Sequence, residues 1–115
     1  MPAMTDLGAS NVQHHSTALL NYAVWARMGS DRAPPVPPPL ADGAARFHAL
    51  APEQQATVAR YAERCWRLVC DEATAAVHDP GHARVGLATL RRAMPHLDDW
   101  TADVLWNNAY RLAMQ

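Results

Sequence analysis

Six histidines and two cysteines are the side chains of this sequence best suited to hold a metal ion, but their spacing does not form a ligand set. His14 and His15 are adjacent, so on a helix their rings point about 100° apart. His78 and His82 are four positions apart, yet the Pro-Gly pair between them removes the helical face that two zinc ligands at this spacing need. A loop site that combines them with Asp79 is the one arrangement left. We therefore predict no bound metal and no cofactor.

The two cysteines are also the strongest nucleophiles of the chain, and their setting disfavours catalysis. Cys65 lies in the middle of an apolar helical face, while Cys70 precedes Asp71 and Glu72, whose negative charges would raise the pKa of a thiol. Five positions apart on a helix, the two thiols are too distant for a disulfide. We expect Cys65 to be buried and unpaired. Because no hydrolase, phosphate-binding or dinucleotide-binding motif is present, we predict no enzymatic activity and no catalytic residues.

All ten basic residues are arginines, and several fall on helical faces that could contact phosphates. Arg60, Arg64 and Arg67 share one face of the longest predicted helix, where Glu63 neutralises them in part. A second group lies later in the chain and consists of Arg84, Arg91 and Arg92. The formal net charge is −1, so only a local patch of this kind could bind nucleic acid.

The second arginine group lies on a helix that, with the turn and helix after it, loosely suggests a helix-turn-helix. Asp98, Asp99 and Asp103 stand near the N-terminus of the second helix, the end that would enter the major groove. Their charges oppose binding to phosphates. A nucleic-acid-associated transcription regulator that uses the arginine faces is therefore the alternative function and not the main one.

Aromatic side chains of the types that dominate protein interfaces are in excess, with four tryptophans and three tyrosines beside one phenylalanine. Trp25, Trp100 and Tyr110 fall off the apolar faces of their predicted helices. We predict that at least one of the two tryptophans is exposed in the protomer and covered by a protein partner or a second copy. The opposing interpretation is that the helices are buried on more than one face, so that both tryptophans are core residues. The candidate partner-binding residues are Trp25, Trp100, Tyr110, Arg60, Arg64 and Arg67.

Helices must position these side chains, since no alternating β-branched run predicts a strand. Periodicity and capping residues predict five helices, namely Ser10 to about Met28, Asp42 to Leu50, Pro52 to about Val77, Ala83 to about Met94, and a last one capped by Asp98 or Asp99. Ser10 and Gln13 fit a capping box for the first. The predicted fold class is all-α, a compact bundle of four to five helices.

The longest and the last predicted helices have the clearest apolar faces. On the longest, the apolar residues at helical spacing are Val58, Ala62, Cys65, Trp66, Val69, Ala73 and Ala76. Its opposite face is charged, and Glu63 and Arg67 are spaced for an i,i+4 pair. On the last helix, the corresponding face consists of Ala102, Leu105, Trp106, Ala109, Leu112 and Ala113. We expect a central core helix with one solvated face.

A proline-rich segment, residues 33–40, follows the first predicted helix. Its prolines exclude an α-helix and favour polyproline II, which makes a semi-rigid connection. We expect this segment to be ordered against the helices through Val36 and Leu40. The alternative is a ligand for a proline-reading groove, for which Pro34 and Pro37 have the PxxP spacing. We favour the connection.

The length of 115 residues leaves room for one domain, which we expect to span residues 10–115 after a flexible lead-in at residues 1–9. Half of the residues are hydrophobic and 18% are charged, a balance typical of a folded protein. No apolar run approaches the about 18 residues of a transmembrane helix, and residues 1–10 show no export signal. We expect no membrane association and a cytoplasmic location, where free thiols persist.

Two short stretches, Leu20 to Arg27 and Leu50 to Gln55, are similar to phage late-gene antiterminator proteins. They cover a small part of the chain and no DNA-reading helix accompanies them, so no family is assigned. The main hypothesis is a non-catalytic protein-binding module. Its most specific form is a small regulator or inhibitor of a host protein complex, of the type that phages or mobile elements encode. That form rests on the frequency of small, motif-free chains among such genes and not on any residue.

Overall fold

The computed structural model describes residues 9–29 and 35–115 of the chain. Five α-helices lie in these two ranges: α1 Thr17–Met28, α2 Ala41–His48, α3 Pro52–His78, α4 His82–Ala93 and α5 Asp99–Ala113. Two short 3-10 helices, Ala9–Asn11 and Pro38–Leu40, precede α1 and α2. None of the described residues forms a β-strand. The predicted all-α bundle is confirmed.

Helix α3 is the centre of the bundle, because α1, α4 and α5 all pack against it, while α2 packs against α1. All seven residues of its predicted apolar face are buried, and Tyr61 is buried with them. Its opposite face is solvated, and the predicted pair between Glu63 Oε1 and Arg67 Nε is present at 3.2 Å. The helix begins at Pro52 and ends at His78, one residue beyond the prediction. Asp79 caps its C-terminus just before Pro80, which cannot continue a helix.

The first helix begins at Thr17, so the predicted capping box at Ser10 and Gln13 is wrong. Ser16 is the N-cap, with extended backbone and a side-chain oxygen that accepts a hydrogen bond from Leu19 N at 3.2 Å. Once Ser16 caps the helix, the preceding residues cannot belong to it. Val12 still reaches the core from a turn, in which the amide of His15 donates to its carbonyl at 3.0 Å.

The described part of the proline-rich segment is partly polyproline II and partly 3-10 helix. Pro37 has φ −61° and ψ 146°, which are polyproline II angles, but Pro38–Leu40 turns into a 3-10 helix that leads into α2. Two prolines fit there because the first amides of a helix have no internal partner to lose. Leu40 anchors the segment with 1% of its surface exposed, whereas Val36 remains 39% exposed. Pro34 and the PxxP spacing lie outside the described residues.

A second apolar cluster, separate from the main core around α3, fills the space between α1 and α2. Its buried members are Tyr22, Trp25, Leu40 and Ala44. Trp25 is 8% exposed, so it is not the exposed one of the two tryptophans of the prediction. Every residue from Leu19 to Trp25 is buried, because α2 and Pro38–Leu40 cover the face of α1 that turns away from α3. The opposing interpretation, a helix buried on more than one face, holds for Trp25.

The apolar face of α5 is confirmed only in its first three turns. Ala102, Leu105 and Ala109 are buried, but Leu112 is 54% exposed. The main core ends at Ala109 and Tyr110 on this helix, so the predicted core position of Leu112 is wrong. The last turn of α5 therefore presents apolar surface to solvent.

Asn21 on α1 ties the connection between α4 and α5 to the rest of the bundle. It is 3% exposed, and its Nδ2 donates to the carbonyl oxygens of Thr17 at 2.7 Å and His96 at 2.9 Å. Its Oδ1 accepts from the amide of Asp98 at 3.0 Å. Asp98 in turn caps α5, since its Oδ1 accepts from the amide of Thr101 at 2.8 Å. One buried amide side chain thus fixes where α5 begins.

His96, in the same connection, has a half-buried imidazole ring. Its Nδ1 lies 3.2 Å from the hydroxyl of Tyr61, and its buried Nε2 has no hydrogen-bond partner among the described residues. Burial lowers the pKa of His96 from 6.5 to about 4. The folded protein therefore excludes a proton that the unfolded chain binds below pH 6.5.

We expect the free energy of unfolding to fall by about 2 kcal/mol between pH 6.5 and pH 4 through His96 alone. The sign follows from the lowered pKa, because in this window only the unfolded state gains the proton. Urea unfolding at several pH values measures the slope, and His96→Gln should flatten it by this amount. An equal slope in both proteins would contradict the assignment. The comparison cancels the other titrating groups, which the two proteins share.

Candidate functional site

The six predicted partner-binding residues do not form one surface. Trp25 is buried, as described above, while Trp100 at the start of α5 is 41% exposed. Tyr110 is half-buried three turns further along α5, with its ring centroid 6.4 Å from that of Trp106. The prediction that at least one of the two tryptophans is exposed is confirmed for Trp100. What covers Trp100 in a complex stays a prediction.

The predicted arginine face lies on the solvated side of α3. Arg60, Arg64 and Arg67 are all exposed there. Glu63 lies among them and pairs with both Arg67 and Arg27 of α1. The hydrogen bond from Arg27 is the main cause that lowers the pKa of Glu63, so this carboxylate is ionised at neutral pH. The face is a mixed charge network and not a uniformly positive patch.

A cavity lies between the first half of α4, with the turn before it, and Trp106 of α5. These two helices each pack against α3 but make little contact with each other, which leaves a groove. The cavity in it has a volume of about 630 Å³. We call it the α4–α5 groove, and its lining consists of Pro80, Gly81, Ala83, Arg84, Val85, Leu87 and Trp106.

The apolar part of the groove is accessible to solvent. Val85 is 55% exposed, although it lies within a helix, and Leu87 and Trp106 are half-buried. A large aromatic ring beside branched aliphatic side chains is the composition found at the centres of protein interfaces. The exposed Leu112 belongs to α5 as well, six residues after Trp106.

Two contacts fix the walls of the groove. Glu72 Oε2 of α3 lies 2.5 Å from Nε2 of His82, the first residue of α4. At the other end of α4, an Arg91 guanidinium nitrogen lies 2.9 Å from Asp99 Oδ1 of α5. Gly86 lets the Trp106 ring lie against α4, because a Cβ there would be 3.2 Å from Trp106 Cη2. These contacts fix the start of α4 to α3 and its later turns to α5.

Arginine dominates the charge of the groove. Helix α4 contains Arg84, Arg91 and Arg92 and no acidic residue. Of these, Arg91 is engaged with Asp99, whereas Arg84, which lines the cavity, makes no ion pair with any described residue. None of the lining residues is a serine, threonine or cysteine, so the His82–Glu72 pair has no hydroxyl or thiol nucleophile in the cavity wall.

The thiols lie elsewhere and are poor nucleophiles. Cys65 is completely buried and unpaired, as predicted, and burial raises its pKa to about 12. Burial, and secondarily the charge of Asp71, also raises the pKa of Cys70. Deprotonation, which a reactive cysteine requires, is thus disfavoured at both positions.

Histidines do not assemble a metal site in the described ranges, where no three His, Cys, Asp or Glu side chains come together. The alternative loop arrangement of His78, Asp79 and His82 does not form, and His82 instead lies against Glu72. The rings of His14 and His15 contact each other at a tilt of 40°, with centroids 4.0 Å apart. Nor does any helix within 9–29 and 35–115 combine the length and apolar character needed to cross a bilayer.

Sequence reasoning missed the groove because it placed Trp106 on the apolar face of the last helix. Trp106, like Leu87 of α4, is only half-buried. Two signals pointed to the groove. Val85 stands off the apolar face of its own helix, which Leu87 and Leu90 define, and that helix has three arginines without a single acidic residue.

No known family model matches the chain, and comparisons with curated proteins and with solved structures gave no significant match. The function is therefore argued from the geometry of the α4–α5 groove alone.

Proposed function

We propose that the protein is a non-catalytic protein-binding module whose α4–α5 groove receives a segment of a protein partner. The observation that carries this proposal is the exposed apolar lining, with Val85 55% exposed beside the half-buried Trp106. A cleft between two helices that make few contacts with each other is suited to the helix-in-groove mode of recognition. Such a module acts as a small regulator or inhibitor of a protein complex, in the manner of phage or mobile-element proteins.

Two further features support a binding role in the cytoplasm. Trp and Arg are enriched at the energetically dominant positions of interfaces, and Trp106 and Arg84 both line the groove. Cys65 and Cys70 are free thiols, the state expected in a reducing compartment.

Nucleic-acid binding, the alternative from the sequence, has weaker support. On the arginine face of α3, Glu63 pairs with both Arg27 and Arg67 and lowers the positive charge. On α5, the first residue is Asp99, which pairs with Arg91. A helix that begins with Asp98 and Asp99 would bring two carboxylates toward the phosphates.

Selection of peptides from a displayed library, with the wild-type protein as bait, tests the proposal. The enriched peptides should bind Val85→Glu at least about tenfold more weakly, because burying the valine contributes about 1.5–3 kcal/mol and a carboxylate would enter an apolar wall. Val85 is exposed, so this change should leave the fold intact. Fluorescence anisotropy gives the affinities.

Ala88→Glu is the matched control, since Ala88 is exposed on the same helix and does not line the cavity. It should change the affinities by less than about twofold. Equal binding by wild-type protein and Val85→Glu would contradict the proposal, and so would equal losses in both variants.

A further inference from the structure

We infer that the segment received by the α4–α5 groove is an amphipathic helix that carries carboxylates beside its apolar face. This inference rests on the proposed function and adds the chemistry of the partner. It follows from the charge of the groove, from the secondary structure around it and from its length.

The charge argument begins with Arg84. Its side chain lines an otherwise uncharged cavity wall and has no ion-pair partner among the described residues. Of the acidic side chains nearby, Glu72 pairs with His82, Asp99 pairs with Arg91, and Asp79 accepts a hydrogen bond from the amide of Gly81. None of the acidic side chains on the neighbouring elements forms an ion pair with Arg84. A guanidinium beside an apolar surface binds a carboxylate through charge-assisted hydrogen bonds, often two in parallel. An acidic residue of the partner would supply that carboxylate.

The secondary structure favours a helical partner. Strand addition needs a free strand edge, and no strand is present in residues 9–29 or 35–115. The walls are two helices, whose surface ridges fit the ridges of a third helix. The lining residues on α4 run from Ala83 to Leu87, about 7.5 Å of helix, so a partner helix would lie along the cavity for about one and a half turns.

The test uses the tightest peptide from the selection and a version in which every Asp and Glu is replaced by Asn or Gln. Both peptides are titrated against wild-type protein, Arg84→Gln and Arg46→Gln. Arg46 is an exposed arginine on α2 that pairs with Asp42, far in sequence from the groove. Fluorescence anisotropy at low and moderate ionic strength gives the dissociation constants.

The peptide should have carboxylates next to apolar residues at i, i+3 and i+4 spacing. Neutralising the peptide and replacing Arg84 by Gln should each weaken binding about tenfold. When both changes are made, the loss of affinity should be smaller than the product of the two single losses. Arg46→Gln should leave affinity within about twofold. Added salt should weaken the binding of the acidic peptide to wild-type protein, and it should weaken the binding to Arg84→Gln much less.

Three outcomes would overturn the inference. Selected peptides without acidic residues that still lose affinity for Val85→Glu would reject the acidic partner and keep the protein-binding groove. Independent, multiplicative losses from peptide neutralisation and Arg84→Gln would place the carboxylate elsewhere. Self-association of the protein that Val85→Glu abolishes would make the occupant a second copy. If Val85→Glu binds all selected peptides normally, the proposed function itself fails.

Discussion

Replacing Gly43 by alanine is expected to lower the free energy of unfolding by about 3 kcal/mol, toward the upper end of overpacking costs. A Cβ at this position would clash with the carbonyl oxygen of Ala18 and lie 2.7 Å from its carbonyl carbon. It would also lie 2.9 Å from Tyr22 Cβ. These are main-chain atoms and the base of a buried side chain, so α1 and α2 would have to separate. Thermal unfolding followed by circular dichroism should show a midpoint about 10–15 °C lower.

Gly86→Ala is the matched control for this effect. Its Cβ would meet the edge of the Trp106 ring at 3.2 Å and the Glu72 Cβ at 3.4 Å, contacts that a side chain can relieve. Alanine also favours a helix by about 1 kcal/mol over glycine, which offsets the contact. The stability should therefore stay within about 1 kcal/mol of wild type. A loss at Gly43 no larger than that at Gly86 would contradict the close packing of α1 on α2.

Asn21→Ala should cost about 3 kcal/mol of stability and loosen the start of α5. The substitution leaves the carbonyl of His96 and the amide of Asp98 without the partner that Asn21 gives them, and each such buried group costs about 1–3 kcal/mol. Hydrogen exchange should then accelerate at Asp98 and in the first turn of α5. Urea unfolding gives the overall loss.

Asn108→Ala controls for the change of residue type. Asn108 donates to the carbonyl of Val104 at 2.8 Å within its own helix, as Asn21 does to Thr17, but it makes no tie to another element. Its replacement should cost less than about 1 kcal/mol. Similar losses for the two variants would show that the tie between α1 and the α4–α5 connection contributes little.

The pattern of residues within each helix predicted the all-α fold, but it did not predict which faces the neighbouring helices cover. The apolar face of α3 could be predicted because its seven residues repeat at helical spacing and all meet the core. The burial of Trp25 could not be predicted because it depends on α2, whose position is not encoded in the periodicity of α1. The predicted N-cap at Ser10 was wrong because Ser16, six residues later, caps the helix next to its buried part.

The candidate site was the least predictable feature for the same reason. Trp106 lies on an apolar face, and only the gap between α4 and α5 makes it half-exposed. That gap depends on both helices packing on α3 and on the contacts at the two ends of α4. A one-dimensional pattern describes which residues prefer burial, but it cannot say which of them a neighbouring helix leaves uncovered.

The four tryptophans offer the most direct measurement of the central claim, that the α4–α5 groove is the binding site. Each indole N–H gives one signal in a nitrogen-15 spectrum, and single Trp→Phe variants assign them. On titration with the tightest selected peptide, the Trp106 signal should shift, while those of the buried Trp25 and Trp66 and the exposed Trp100 stay in place. A shift at Trp100 with an unchanged Trp106 would contradict the claim and place binding at the start of α5.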